Sequence, residues 1–193
     1  MKQVLIVLLG LLLVWPVVGC AEPAPTPPAV TDQAAEVQPA AAPPTTTPSD
    51  PAELLPKGSM PIEGLLVGGQ PSPAQIEALA GLGYTTVINL RGPAERGSTD
   101  PALVESLGMT YVSIPVTSPD DLSEANARKL AEAMGDGTEP VVLHCASSNR
   151  VGALLAMKAF YLDDATPEEA MALAEKAGIT RMEPAVRQKL GLE

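Results

Sequence analysis

Aromatic side chains are almost missing from this chain, at 3% of its 193 residues. Without rings to fill it, the core must be built from Leu, Val, Ile, Ala and Met, an ordinary composition for helices covering a parallel sheet. Basic residues are also in deficit, 12 Lys and Arg against 23 Asp and Glu, for a formal net charge of −11. That balance excludes nucleic acid as a partner, because affinity for such polymers comes from many neutralised phosphates; the acidity serves solubility. Histidine occurs once, at His144, and cysteine twice, at Cys20 and Cys145. No zinc or calcium ligand spacing and no dinucleotide-binding loop is present, so neither a metal nor a cofactor is expected.

The ends of the chain differ in kind. Lys2 followed by an apolar run from Val4 to Val18 has the charged start and short hydrophobic stretch of an export signal. The run is shorter than the roughly 20 residues a spanning helix needs. It ends Val17-Val18-Gly19-Cys20, which resembles the lipobox of bacterial lipoproteins. That resemblance implies a signal peptide over 1–19, cleavage before Cys20, and acyl chains on Cys20 as the membrane anchor. An uncleaved N-terminal anchor is the other reading, and it too leaves the domain outside the cytoplasm. Ala21 in place of Asp resembles cargo of the outer membrane, so the expected location is lipid-anchored on the periplasmic face. From Ala21 to Pro56 there are ten prolines and no Lys or Arg. Such a segment cannot bury enough apolar surface to offset chain entropy, and 20–56 is expected to be a tether reaching about 110 Å at most.

Residues 57–193 carry the punctuation of one folded domain. Capping chemistry marks four helix starts: Ser72-Pro73-Ala74-Gln75, Asp100-Pro101, Ser123, and Thr166-Pro167-Glu168-Glu169. Short β-rich runs lie between them at Leu65–Val67, Thr85–Leu90, Met109–Ile114 and Val141–His144. Strands alternating with helices, with no room for hairpins, predict an α/β fold: a small, mostly parallel sheet of four to five strands flanked by helices. Ligands of such sheets gather at the carboxyl ends of the strands.

The stretch Val141-Val142-Leu143-His144-Cys145-Ala146-Ser147-Ser148-Asn149-Arg150-Val151-Gly152 reads as a buried strand, a tight polar loop and a helix start. Small residues let the amides of Ala146, Ser147, Ser148 and Asn149 converge on an anion. The helix N-terminus adds about half a positive charge, and Arg150 can grip two oxygens. The same field favours thiolate over thiol and makes Cys145 a candidate nucleophile.

His-Cys, a small polar loop and Arg resemble the signature of cysteine-dependent protein tyrosine and dual-specificity phosphatases. Thr86-Val87-Ile88-Asn89-Leu90-Arg91, with Glu95 four residues on, resembles a strand and turn of atypical dual-specificity phosphatases. Gly69-Gln70-Pro71-Ser72 resembles the opening of a bacterial subgroup, the phosphatase-like domain found alone or beside beta-lactamase hydrolase-like proteins. The resemblance covers about Pro61 to Glu183. It implies a phosphotyrosine protein phosphatase II-like fold and hydrolysis of a phosphoester, on a protein or a small molecule, through a phosphocysteine at Cys145.

The departures are specific. Four residues separate Cys145 from Arg150 where the large phosphatase families have five, although the subgroup resembles this shorter form. Ser148 stands where that loop usually has Gly, and Val151 takes the place of a Ser or Thr whose hydroxyl assists breakdown of the phosphocysteine. Asp120 and Asp121 are candidates to protonate the leaving oxygen, or are solvated acids ahead of the Ser123 cap. His144 either bonds to the loop and tunes Cys145 or fills the end of a buried strand. Arg91 either stands at the mouth of the site or is a surface charge. Two other activities suit the loop: rhodanese-like sulfur transfer, whose upstream signature is missing, and binding of phosphorylated or sulfated ligands without turnover.

Overall fold

The computed structural model describes residues 50–192. The expected signal peptide, Cys20 and the expected tether up to residue 49 lie outside them. The chain runs β1 (Ser59–Ile62), β2 (Leu65–Gly68), α1 (Pro73–Gly81), β3 (Thr86–Asn89), α2 (Pro101–Ser106), β4 (Thr110–Ser113), α3 (Glu124–Met134), β5 (Val141–His144), α4 (Asn149–Leu162), α5 (Pro167–Lys176) and α6 (Glu183–Leu190). The sheet order is β1-β2-β5-β3-β4, parallel except for the β1–β2 pair. The α/β class and the mostly parallel five-stranded sheet agree with the sequence reading.

The period of two along each strand builds two cores. Leu65, Val67, Ile88, Val141 and Leu143 face α3, α4 and α5. Leu66, Val87 and Val142 face the other way, onto Ile76 and Leu79 of α1 and Val104 of α2. Because both faces are covered, β2 and β5 are buried at every residue and read as unbroken apolar runs. Burying one such leucine contributes about 1.5–3 kcal/mol. The expected caps are formed: Ser72 and Thr166 make full capping boxes, and the Asp100 and Ser123 side chains accept from the first helical turns.

Three features correct the sequence reading. A hairpin does exist: β1 pairs antiparallel with β2 through Glu63 and Gly64, the latter at φ +74°. Pro61 hid this strand, since a proline donates no ladder bond; it is tolerated because β1 is an edge strand. Helix α6 carries no side-chain N-cap, and the sequence reading passed over the Pro184 in its first turn and the left-handed Gly191 that ends it. The fold also begins before residue 57. Asp50 caps a 3₁₀ turn at Pro51–Leu54, and Leu54 and Leu55 are buried in the α1-side core. A Cβ on Gly68 would lie 2.6 Å from that of Leu55, so this glycine admits the incoming segment.

Strands β2, β5 and β3 end level with one another, with Gly68 and Asn89 both in register with His144. The loops after these three strands therefore meet above the centre of the sheet, which is where the sequence placed the chemistry.

Candidate active site

The loop after β5 is tied to its neighbours by backbone. Cys145 N–H donates to Gly68 O at 3.2 Å, and Gln70 N–H donates to Ala146 O at 3.4 Å. Among the described hydrogen bonds, the amides of Ala146, Ser147, Asn149, Arg150 and Val151 have no protein acceptor. They stand at the N-terminus of the 14-residue α4, where the helix dipole adds positive potential.

Ser148 takes φ +67°, the left-handed region that favours glycine. Its hydroxyl donates to Ala177 O at 2.7 Å, which ties the loop to the end of α5 and offsets part of the backbone strain. Ser148→Ala is expected to destabilise by about 1–3 kcal/mol, because it leaves the buried Ala177 carbonyl unpaired and relieves nothing. Ser148→Gly loses the same bond but gains backbone freedom, so it should cost less. Urea midpoints measure both, and equal losses would remove the backbone part of the explanation.

Cys145 is 1% exposed and lies under the loop. Arg150 does not face open water. Its Nη2 donates to Glu95 Oε2 at 2.8 Å, and its Nη1 donates to Glu95 Oε1 and, at 3.2 Å, to Val116 O. The Glu95 hydrogen bonds, and then the nearby Cys145, hold the Arg150 pKa above its ordinary value against the opposing effect of burial. The partner carboxyl is lowered to about 2, first by Arg150 and further by Gly92 N–H and Arg91. Glu95 is therefore ionised at any working pH and orients the guanidinium as a two-pronged pair. The sequence reading noted Glu95 beside Arg91 but assigned it no role.

Arg91 is neither a free surface charge nor a group at the cavity. It staples the 91–97 loop, with Nη1 donating to Gly97 O at 3.0 Å and Nη2 to Arg96 O at 2.5 Å. Nη1 also donates to Gln70 Oε1 at 2.7 Å, which fixes the amide of Gln70 with its nitrogen toward Thr99. The Thr99 hydroxyl accepts from Gln70 Nε2 at 2.8 Å and is then free to donate to His144 Nε2, 3.1 Å away. The other ring nitrogen, Nδ1, lies 3.4 Å from Cys145 O and donates to it. His144 is fully buried, and that burial first of all, with the charges of Arg91 and Arg150, lowers its pKa to about 4.

A stability test follows from that lowering. The unfolded chain protonates His144 below about 6.5, whereas the folded chain resists until about 4. This contribution is fully present above pH 6.5 and is lost as pH falls toward 4, by roughly 3 kcal/mol. His144→Asn keeps a donor near the Nδ1 position and should flatten the fall in urea stability across that window. An unchanged slope in the variant would mean that His144 titrates normally.

The two acids on the loop after β4 differ. The Asp121 carboxylate accepts from Thr117 N–H at 2.7 Å, the Thr117 hydroxyl at 2.9 Å and Ser118 N–H at 2.9 Å. These bonds, the Thr117 amide foremost, lower its pKa. Asp121 thus fixes a 3₁₀ turn at Pro119–Asp121 and is a poor proton donor, contrary to the expectation that it could serve as the acid. Asp120 is exposed, and its carboxylate has no partner among the described residues.

A cavity of about 320 Å³ opens over the loop, walled by Val116 to Pro119, by Ala146, Ser147, Asn149 and Arg150, and by Arg181 and Met182. Asn149 Oδ1 accepts from Thr180 N–H, the Thr180 hydroxyl and Met182 N–H at 2.9, 3.1 and 3.1 Å. Sequence reasoning named Asn149 as a loop residue and missed Thr180 and Arg181, which no motif marks. No three His, Cys, Asp or Glu residues cluster to hold a metal among the described residues.

No family model and no curated protein matches the chain. Solved structures do. A DUF442 protein of Shewanella putrefaciens CN-32, named as a candidate phosphatase, shares 22% identity at a TM-score of 0.55, over 73% of this chain and 95% of its own. A candidate phosphatase of Neisseria meningitidis Z2491 shares 22% at a TM-score of 0.55, over 67% and 96%. Tk-PTP in its active form shares 17% at a TM-score of 0.56, over 70% and 96%. At these identities the likeness establishes the fold, a cysteine-phosphatase-like α/β fold.

Proposed function

We propose that the chain is a cysteine-dependent phosphatase acting on a phosphoester of a protein or small molecule. The observation that carries the reading is the Arg150 guanidinium, locked by Glu95 beside the buried Cys145, under a loop whose amides have no protein acceptor. In this reading the Cys145 thiolate attacks phosphorus, the P–O bond to the leaving group breaks, and Asp120 supplies the proton that the leaving oxygen needs. Arg150 and the loop amides hold the non-bridging oxygens, whose charge is largest in the transition state. Water then attacks the phosphocysteine, which returns the thiolate and releases phosphate. Val151, fully buried and without a hydroxyl, leaves this second step unassisted.

We further propose that a lipid on Cys20 holds this domain at the periplasmic face of a bacterial membrane, as the lipobox-like ending of the apolar run suggests. The enzymatic proposal is tested by phosphate release from phenyl phosphate, phosphotyrosine and phosphoserine, using full chain purified in detergent with a reductant. Release from at least one, blocked by orthovanadate, is the expected outcome. No release from any of them would end the reading.

A further inference from the structure

The chain carries nearly two acids for each base, yet the lining of the 320 Å³ cavity holds two arginines and no carboxylate. The two arginines are not alike. Arg150 is neutralised by its two-pronged pair with Glu95. Arg181 is exposed and takes part in none of the ion pairs of the described residues. The uncompensated charge at this cavity is therefore that of Arg181. Its backbone is also pinned, because Asn149, the first residue of α4, receives the amides on both sides of it, from Thr180 and Met182. That clamp joins the segment bearing Arg181 to the phosphate loop itself.

Asn149 points to a ligand independently. It is 7% exposed, its Oδ1 is filled by three donors, and its Nδ2 has no protein acceptor. Among the described residues no fully occluded side-chain nitrogen or oxygen lacks a partner. Nδ2 therefore retains some accessible surface, on a residue that lines the cavity. An unpartnered donor on a largely buried residue lining a cavity, beside an unpaired cation, is suited to an anion. The volume also exceeds the needs of one phosphoryl group, since pockets of about 300 Å³ begin to hold whole small ligands.

We propose that Arg181, with Asn149 Nδ2, forms a second anion seat, so that the preferred substrate is a phosphoester bearing another acidic group, phosphate or carboxylate, close to the scissile one. This rests on the phosphatase reading of the same cavity, with Cys145 and Arg150 taking the first anion. Asn149 is the link that sets the distance between the two seats.

The test is calorimetric binding to the full chain carrying Cys145→Ser, which cannot turn over. The ligands are phenyl phosphate, benzene-1,3-diyl bisphosphate and 3-carboxyphenyl phosphate. At least one two-anion ligand is expected to bind about tenfold more tightly than phenyl phosphate, the worth of one charge-assisted contact. A gain for the bisphosphate alone assigns phosphate to the second seat, and a gain for both ligands assigns any acidic group. Added Arg181→Gln should erase the preference. Added Arg187→Gln, the same charge change on α6 outside this cavity, should keep it. Binding of phenyl phosphate without a preference, or a preference that survives Arg181→Gln, overturns the second seat and leaves the phosphatase reading standing. Absence of binding by all three ligands overturns both.

Discussion

Cys145→Ser is expected to remove phosphate release by about a thousandfold or more while leaving the fold intact. The hydroxyl is nearly the same size as the thiol, so the buried position keeps its packing, and the Cys145 amide still donates to Gly68 O. What changes, in the proposed mechanism, is the nucleophile. A serine hydroxyl is a far weaker acid than a thiol, and none of the described side chains hydrogen-bonds to the Cys145 side chain as a general base would. Losses of this size are typical when a covalent nucleophile is removed. The variant should still bind phenyl phosphate, because the loop amides and Arg150 remain. Retained turnover, measured as phosphate release, would move the chemistry to another residue.

Arg150→Lys is expected to cost about 10²–10³ in turnover, and Arg150→Ala at least as much. Lysine keeps the charge but cannot hold Glu95 and a phosphoryl group with one planar fork. In Arg150→Ala the Glu95 carboxylate loses the partner that chiefly stabilises its charge and is left to repel an anionic substrate. Adding Glu95→Gln to Arg150→Ala should therefore recover part of the lost affinity, whereas Glu95→Gln alone should lower turnover by freeing the guanidinium. The two changes are thus strongly non-additive in a double-mutant cycle. Additive losses would show that Glu95 and Arg150 act separately, despite the 2.8 Å bond between them.

Much of this was legible in residue order, for physical reasons that differ by element. Ser72, Asp100, Ser123 and Thr166 announced their helices because a cap is a local interaction across three residues. The loop after β5 was legible because strand, loop and helix start are consecutive. The Ser148 departure was visible as a missing glycine, and the structure supplies its reason in the left-handed backbone there. Partnerships formed by folding were not legible. Glu95 reaches Arg150 across 55 positions, and Thr180 reaches Asn149 across 31. Pairings that distant depend on where the sheet sets its loops, and no spacing in the sequence encodes them. Asp121 shows the opposite hazard: the sequence reading offered two acids on the loop after β4, but amides of Thr117 and Ser118 decide which of them is engaged.

In the proposed mechanism the absence of a hydroxyl at Val151 separates the two chemical steps, since Cys145, Arg150 and the loop amides would serve formation of the phosphocysteine while its hydrolysis would lack a hydroxyl. Rapid-quench reaction of the full chain with excess 4-nitrophenyl phosphate, read by nitrophenol release and by mass mapping of peptides, decides whether a phosphocysteine forms. The account predicts a burst of nitrophenol stoichiometric with protein, together with one phosphoryl group on the peptide containing Cys145. Steady release of nitrophenol with that peptide unmodified at every quench time would contradict it.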